Sequence, residues 1–230
     1  MFLSRLVKPA LRCKNTLLAQ STRCMSGFSS MSPEQLNTIV KLNVFAQETP
    51  ERVNSIWREY HKKSLAATGF TLHAPDHVVI TERMKQCPMF IWPVYKNEND
   101  NVIILSQKQG KFVFCTYLED YKLNPETAAP WMSLAMYDDM CASKGMALIR
   151  GDFTPNLTKT EGEILSRMIL FGYHDDAAYK HVQAFNKTPA SFDFEAYMSA
   201  FKKVNQNLLE DIEAAELKDL AGGPTPAVAS

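Results

Sequence analysis

The chain has 230 residues, of which 46% are hydrophobic and 22% are charged, and its 25 basic residues balance its 25 acidic ones. This composition is typical of a globular protein and excludes a wholly disordered or fibrous chain. The basic residues are unevenly spread, because the first 30 residues hold five of them and no acidic residue, which leaves 20 basic against 25 acidic residues in the rest. A mildly acidic body argues against nucleic acid as the ligand.

The N-terminal 25 residues have the pattern of a mitochondrial transit peptide. Apolar residues recur at helical spacing between positions 3 and 11, and Arg5, Lys8 and Arg12 fall on the opposite side. Basic, amphipathic segments that contain hydroxyl groups and lack acidic residues direct proteins into mitochondria. We therefore expect residues 1–25 to be a transit peptide and the mature protein to reside in the matrix. No run of about 18 apolar residues occurs, so we expect no membrane insertion.

Three helices are predicted before the first strand. The first starts at Ser32, its N-cap, and Gln35 closes a capping box. The second starts at Thr49, and the third runs from about Pro75 to Gln86. The apolar stripe of the second helix consists of Val53, Ile56, Trp57 and Tyr60.

Strands are predicted in the middle of the chain, where the spacing of apolar residues changes from helical to extended. Short turns at residues 96–101 and 109–110 connect the first three strands, which implies antiparallel neighbours. A short helix around residues 138–142, with Asp138 and Asp139 as its cap, separates the last two. The five predicted strands are 89–95, 102–107, 112–117, 131–136 and 146–153.

The rest of the chain is predicted to be helical. One helix opens at Thr158 or Thr160, His174-Asp175-Asp176 forms a loop and a helix cap, and two further helices cover about residues 177–185 and 194–204. The grouping of helices and strands predicts one α+β domain over residues 26–205, with helices packed on a largely antiparallel sheet. Residues 206–230 are expected to form a flexible C-terminal tail.

Motifs for binding a cofactor or metal are absent from the sequence. Neither glycine-rich phosphate-binding motif occurs, which argues against a bound nucleotide. His73 and His77 have the spacing of metal ligands, but Pro75 places His73 ahead of the helix and no third ligand follows. We therefore predict two surface histidines, no metal and no cofactor. Arg150-Gly151-Asp152 is interpreted as a strand that leaves the sheet at its glycine.

Two residues of the segment RMKQCPMFIWPV, residues 83–94, raise functional questions. Cys87 has basic neighbours in sequence, but it has no resolving cysteine and Pro88 ends the helix there, so a structural role is predicted. Pro93 lacks the N–H group that a central strand needs, which predicts that its strand is an edge or is bulged. An apolar edge can pair with another polypeptide.

Three sequence blocks resemble the mitochondrial ATP synthase F(1) complex assembly factor 1 family. They are Trp57-Arg58-Glu59-Tyr60-His61-Lys62, Lys85-Gln86-Cys87-Pro88 and Ala147-Leu148-Ile149-Arg150-Gly151-Asp152. Their order and spacing fit the family, and the similarity extends from about residue 34 to residue 203. The resemblance implies a matrix chaperone that binds the unassembled F(1) β subunit, prevents its aggregation and hands it to the α subunit. It implies no enzymatic activity, no cofactor and no small-molecule substrate.

Aromatic residues of the predicted strands are the candidate anchors for such a partner, since aromatic side chains dominate binding at protein interfaces. Residues two apart in a strand share one face of a sheet, so these anchors fall into groups of which some must form the core. The candidates are Phe90, Trp92, Tyr95, Phe112, Phe114 and Trp131.

Two other functions remain open at this point. One is a thiol-dependent matrix enzyme that uses Cys87, and the other is a generic matrix adaptor that binds a peptide by strand addition at the Pro93 edge. Replacing Cys87 by alanine separates the first from a chaperone, because only an enzyme of that kind needs the thiol.

Overall fold

A computed structural model describes residues 34–97 and 100–221. Within these residues lies one six-stranded sheet in the order β1-β6-β5-β4-β3-β2, in which all neighbours are antiparallel. The predicted α+β class, with helices on a largely antiparallel sheet, is confirmed. The predicted transit peptide, residues 1–25, lies outside the described residues, as do residues 222–230 of the predicted tail.

The strands match the sequence prediction closely, with one addition. Three of the five predicted strands have the predicted bounds, and the other two are longer by one or two residues at their ends. The first strand was not predicted. The strands are β1 Ala67–His73, β2 Met89–Tyr95, β3 Asn101–Gln109, β4 Phe112–Tyr117, β5 Pro130–Tyr137 and β6 Met146–Phe153.

The helices cover both faces of this sheet. Among the described residues, none of them is both long and apolar enough to cross a bilayer. They are α1 Leu36–Ile39, α2 Leu42–Gln47, α3 Pro50–Lys62, α4 Ala74–Gln86, α5 Leu118–Leu123, α6 Cys141–Lys144, α7 Lys159–His174, α8 Asp176–Lys187 and α9 Phe194–Ala221, with a 3-10 turn at Pro189–Ser191.

Side-chain caps fix the start of three helices, as predicted. The hydroxyl of Thr49 accepts a hydrogen bond from the Arg52 N–H group at the start of α3. Thr158 and Glu161 form a reciprocal capping box at the start of α7. Asp175 accepts from two N–H groups in the first turn of α8. Each cap supplies an acceptor for backbone donors that a helix leaves without partners.

The predicted capping box of the first helix is wrong. Helix α1 begins at Leu36, and Gln35 occupies the N-cap position without a side-chain hydrogen bond to the helix. Gln35 therefore precedes the helix instead of closing a box within it. Ser32, the predicted N-cap, lies outside the described residues.

The predicted cap of the short helix between the last two strands is also wrong. Helix α6 begins at Cys141, and its N-cap is Met140. The carboxylate of Asp138 accepts a hydrogen bond from Lys111 Nζ at 2.6 Å instead. This contact, between the residue before β4 and the residue after β5, engages the side chain that was expected to cap the helix.

The two faces of the sheet hold two different cores, because side chains alternate along each strand. We call the face under α1, α2 and α3 the α3 face, and the face under α4, α7, α8 and α9 the α7 face. The larger cluster surrounds Phe90, Trp92 and Tyr173 on the α7 face. The smaller one surrounds Trp57 on the α3 face and includes Phe45.

The last helix is longer than the sequence predicts. Helix α9 continues from the predicted end at Val204 to Ala221, and it takes in residues 206–221 of the predicted tail. Ile212 in this extension is 5% exposed and belongs to the larger core cluster. Burial of such a side chain stabilises the folded state by about 1.5–3 kcal/mol, which favours continuation of the helix beyond residue 205.

The predicted edge strand is an edge, but its outer side is closed. β2 ends the sheet, and Met89, Ile91 and Pro93 direct their backbone groups away from β3. Asn186 both accepts from Met89 N–H and donates to Met89 O, and Tyr197 Oη donates to Ile91 O at 2.5 Å. Pro93 has no N–H group to offer. Side chains of α8 and α9 thus occupy the positions that an added strand would need.

We expect Asn186→Ala to destabilise the protein by about 1–3 kcal/mol, because it leaves two backbone groups of Met89 without partners. It should also increase self-association, since the edge of β2 becomes available. Urea unfolding and light scattering after size exclusion measure the two effects. Asn207→Ala, at an exposed position of α9, is the matched control and should change stability by less than about 0.5 kcal/mol. Equal stabilities of the two variants would contradict this role of Asn186.

Candidate partner-binding surface

Two of the three sequence blocks that carry the family resemblance meet on the α3 face. The indole N–H of Trp57 in α3 donates to the Ile149 carbonyl of β6 at 3.0 Å. Both residues are fully buried, and their contact fixes α3 on the sheet. The predicted stripe of α3 is therefore correct for Trp57 and Val53, but Tyr60 is 56% exposed and the neighbouring His61 is buried in its place.

His61 lies against Trp57 and over the edge strand β1. Its Nδ1–H group donates to the Trp57 carbonyl at 2.8 Å, and the two rings lie 4.2 Å apart. A Cβ atom at Gly69 would lie 2.3 Å from the His61 ring, so only glycine fits beneath it. Burial lowers the pKa of His61, while the Trp57 carbonyl opposes that change. Among the described residues, its Nε2 atom has no hydrogen-bond partner.

Arg150 and Asp152 form a charged pair on the same face. Arg150 Nε lies 2.9 and 3.0 Å from the two carboxylate oxygens of Asp152, and its Nη2 lies 2.7 Å from one of them. Glu34 lies 3.4 Å from the guanidinium, and its carbonyl accepts from Tyr137 Oη at 2.6 Å. Burial raises the pKa of Tyr137 to about 12, so its hydroxyl remains a donor at neutral pH.

This arrangement corrects the sequence interpretation of Arg150-Gly151-Asp152. The strand does not leave the sheet at the glycine, because β6 continues to Phe153. Gly151 lies inside the strand, and a Cβ atom there would be 2.7 Å from Ser166 Oγ of α7. The alternation of Arg150 and Asp152 around one glycine was the signal that could have placed both charges on one face.

Two half-buried aromatic residues lie beside this charged pair. Phe112 and Phe114 of β4 share the α3 face, with ring centroids 6.5 Å apart. Phe112 pairs with Ala135 and Phe114 with Ser133 in β5, and these two residues pair with Arg150 and Asp152 in β6. The small residues Ser133 and Ala135 of β5 therefore separate the aromatic pair from the charged pair. We call Phe112, Phe114, Arg150 and Asp152 the four-residue surface.

The other predicted anchors lie in different surroundings. Phe90 and Trp92 are fully buried on the α7 face, where the Phe90 ring lies 5.1 Å from Tyr197 and the Trp92 indole donates to Ser106 Oγ. They have no exposed surface for a partner in this structure. Trp131 is half-buried and stacks on Tyr117 at 4.9 Å, and the half-buried Tyr95 lines a separate cavity at the end of β2.

Cys87 has the structural role that the sequence predicts. It is fully buried, its carbonyl accepts from Tyr173 Oη at 2.7 Å, and Tyr179 Oη lies 3.5 Å from its sulfur. A reactive thiolate needs an accessible and electropositive site, which a fully buried thiol between two tyrosines does not have. Burial also raises the pKa of the Cys115 and Cys141 thiols, which disfavours their reactive forms.

The histidines predicted to lie on the surface differ from each other. His73 is exposed and precedes α4, as predicted. His77 is only 9% exposed and contacts Thr81 within α4, so its predicted surface position is wrong. Burial lowers the pKa of His77. Among the described residues, no group of three or more histidine, cysteine or acidic side chains could hold a metal ion.

Comparison with known proteins gives a family match. The model of a family described as "ATP11 protein" matches residues 12–198, which is well over half of the chain. The match includes all three sequence blocks and all four members of the four-residue surface. A search of curated proteins finds no match.

We expect the free energy of unfolding to fall as the pH drops below about 6.5, because the unfolded chain binds a proton on His61 that the folded site resists. The groups facing this ring are Arg150, Asp152 and Lys159. His61→Asn keeps a nitrogen donor for the Trp57 carbonyl and should reduce this dependence in urea unfolding between pH 5 and 7.5. The part that remains belongs to His77, whose pKa burial also lowers. His73→Asn, at an exposed position, should retain the dependence. An unchanged slope in His61→Asn would contradict the expectation.

Proposed function

The chain belongs to the ATP11 family of F1 ATP synthase assembly factors, and on that premise we propose that it is a matrix chaperone of the unassembled F1 β subunit. The family functions in F1 assembly, it consists of mitochondrial assembly chaperones, and it is not an enzyme family. The proposal adds three points to these: the matrix location, the β subunit as client, and transfer of that client to the α subunit.

The observation that carries the proposal is the exposure of aromatic residues beside a fixed charged pair. Phe112 and Phe114 are half-buried, whereas Phe90 and Trp92 of β2 are fully buried in the core. The Arg150 side chain is 14% exposed and is held in place by Asp152. Interfaces between proteins are enriched in aromatic residues and arginine, and ordered side chains lose little entropy on binding.

The proposed mechanism follows from the client's own surface. A β subunit without its neighbour exposes an apolar surface that promotes aggregation. The chaperone covers part of this surface with Phe112 and Phe114, while Arg150 and Asp152 contribute polar contacts at the border. A specific complex buries about 1,200–2,000 Å² in total, so the contact extends beyond these four residues. For the α subunit to displace the chaperone, it must bind the β subunit more tightly than the chaperone does.

The two other functions considered from the sequence lack a supporting observation. The thiol enzyme requires an accessible Cys87, and this residue is fully buried. The adaptor requires a free edge at Pro93, and Asn186 and Tyr197 occupy the neighbouring backbone groups of β2. The thiol of Cys87 is therefore not accessible to a substrate, and the outer edge of β2 around Pro93 is not free to pair with a peptide.

The proposal is tested by the aggregation of purified β subunit, followed by light scattering after dilution from urea. The full chain should suppress the scattering at about equimolar concentration, and added α subunit should release the chaperone from the complex in a pull-down. An unrelated protein that aggregates under the same conditions is the control for nonspecific suppression of aggregation. Suppression of both proteins alike, or no suppression, would refute a specific role for the β subunit.

We expect Phe112→Ser with Phe114→Ser to weaken the complex with the β subunit at least tenfold, because aromatic anchors typically contribute more than about 1.4 kcal/mol. Leu123→Ser is the matched control, since Leu123 is 86% exposed and lies outside the four-residue surface. Cys87→Ala should bind like the native chain. Titration calorimetry measures all three affinities, and the unfolding curves confirm that each variant is folded. A double variant with native affinity would exclude this surface.

A further inference from the structure

The outer edge of β1 differs from the closed edge of β2. The Phe153 N–H group donates to Ala66 O at 2.9 Å, which fixes the hydrogen-bonding alternation between β1 and β6. The even-numbered residues of β1 therefore direct their backbone groups to β6, and the odd-numbered residues 67–73 direct theirs outward. No side chain or backbone group of the described residues forms a hydrogen bond with these outward groups.

This open edge forms the floor of a trough. A cavity of about 650 Å³ lies beside Thr68 and Gly69, with side chains of α3 on one side and side chains of α7 and α9 on the other. The α3 side includes Glu51, Asn54, Ser55 and Arg58, and the opposite side includes Glu163, Arg167, Ile212 and Ala215.

The walls of the trough are held by contacts of their own. Lys159, the first residue of α7, donates to the carbonyls of His61, Lys62 and Ser64 at 2.9, 2.6 and 2.6 Å. Arg167 donates to Glu163 at 2.7 Å and lies over the Phe70 ring. These contacts hold the wall side chains in position on both sides of the β1 edge. A flat sheet from another molecule would meet these walls before it reached β1, so a single strand is the better match for the space between them.

The chemistry of the edge identifies the class of occupant. A row of alternating N–H and C=O groups is matched by the backbone of an extended polypeptide. The walls carry both signs of charge, so they do not select an acidic or a basic ligand. β1 and β4 are separated by β6 and β5, so the edge lies about 14 Å from the strand of Phe112 and Phe114. One partner that straddles α3 can reach both.

We propose that an extended segment of the client adds to the sheet as a seventh strand along β1, between α3 and α9. The proposal rests on the proposed function, since it assigns this strand to the β subunit. Main-chain hydrogen bonds at β1 then contribute affinity without selecting side chains, and the four-residue surface contributes specificity. The closed edge of β2 leaves β1 as the edge of this sheet that is available for strand addition.

Amide hydrogen exchange of the full chain, read by NMR with and without purified β subunit, tests the proposal. Outward N–H groups at residues 69, 71 and 73, which are not buried, should exchange quickly in the free chain and at least tenfold more slowly in the complex. Inward N–H groups at residues 68, 70 and 72 are the control in the same strand, because β6 already protects them. Their exchange should remain slow in both states.

Each other outcome has a distinct meaning. If the complex forms and the outward groups remain unprotected, strand addition is refuted and the chaperone proposal stands. If the outward groups are already protected in the free chain, another part of this chain or a second copy occupies the edge, and the proposal is wrong. If no complex forms, the chaperone function fails, and the strand assignment fails with it.

A pair of variants tests the same edge by affinity. Thr71→Pro removes one outward N–H group, as Pro93 does in β2, and should weaken the complex with the β subunit at least tenfold. Thr71→Val keeps the N–H group but, like the proline variant, loses the side-chain contact with Asn54, and it should bind like the native chain. Equal affinities of the two variants would overturn strand addition at β1.

Discussion

The close seating of helix α7 on the sheet is the constraint on which the rest of the structure depends. A Cβ atom at Gly172 would lie 2.5 Å from the Trp92 ring, and one at Gly162 would lie 2.6 Å from the Phe153 ring. Any larger residue at these positions would lift α7 from the strands. Helices α4, α8 and α9 all pack against α7, so its height above the sheet sets the position of the whole α7 face.

The strands that the sequence predicted are those with a local pattern of apolar residues. β2 and β4 were predicted with their observed bounds because continuous apolar residues end at proline, glycine or charged turns. β1 was missed because Ala67, Thr68 and Gly69 are small and carry no strand pattern. Its conformation comes from pairing with β6, some 80 residues later in the chain. Such a nonlocal contact has no signature in a short window of sequence.

The candidate surface was only partly predictable for a related reason. Alternation along a strand shows that Phe90 and Trp92 share a face, and that Phe112 and Phe114 share a face, but it does not show which face receives more helices. Helices α7, α8 and α9 together bury the first pair, whereas the second pair stays half-buried. His61 and Arg150 were quoted as parts of motifs, but their meeting around Gly69 depends on how β1 pairs with β6.

Lys159 has a mechanical consequence for the trough beside β1. Its ammonium joins the end of α3 to the start of α7 through three carbonyls, and it therefore ties the helix layers of the two faces together across the sheet edge. The distance between the walls is fixed at this end. A change in the width of the trough at this end would therefore break the hydrogen bonds of Lys159 to these carbonyls.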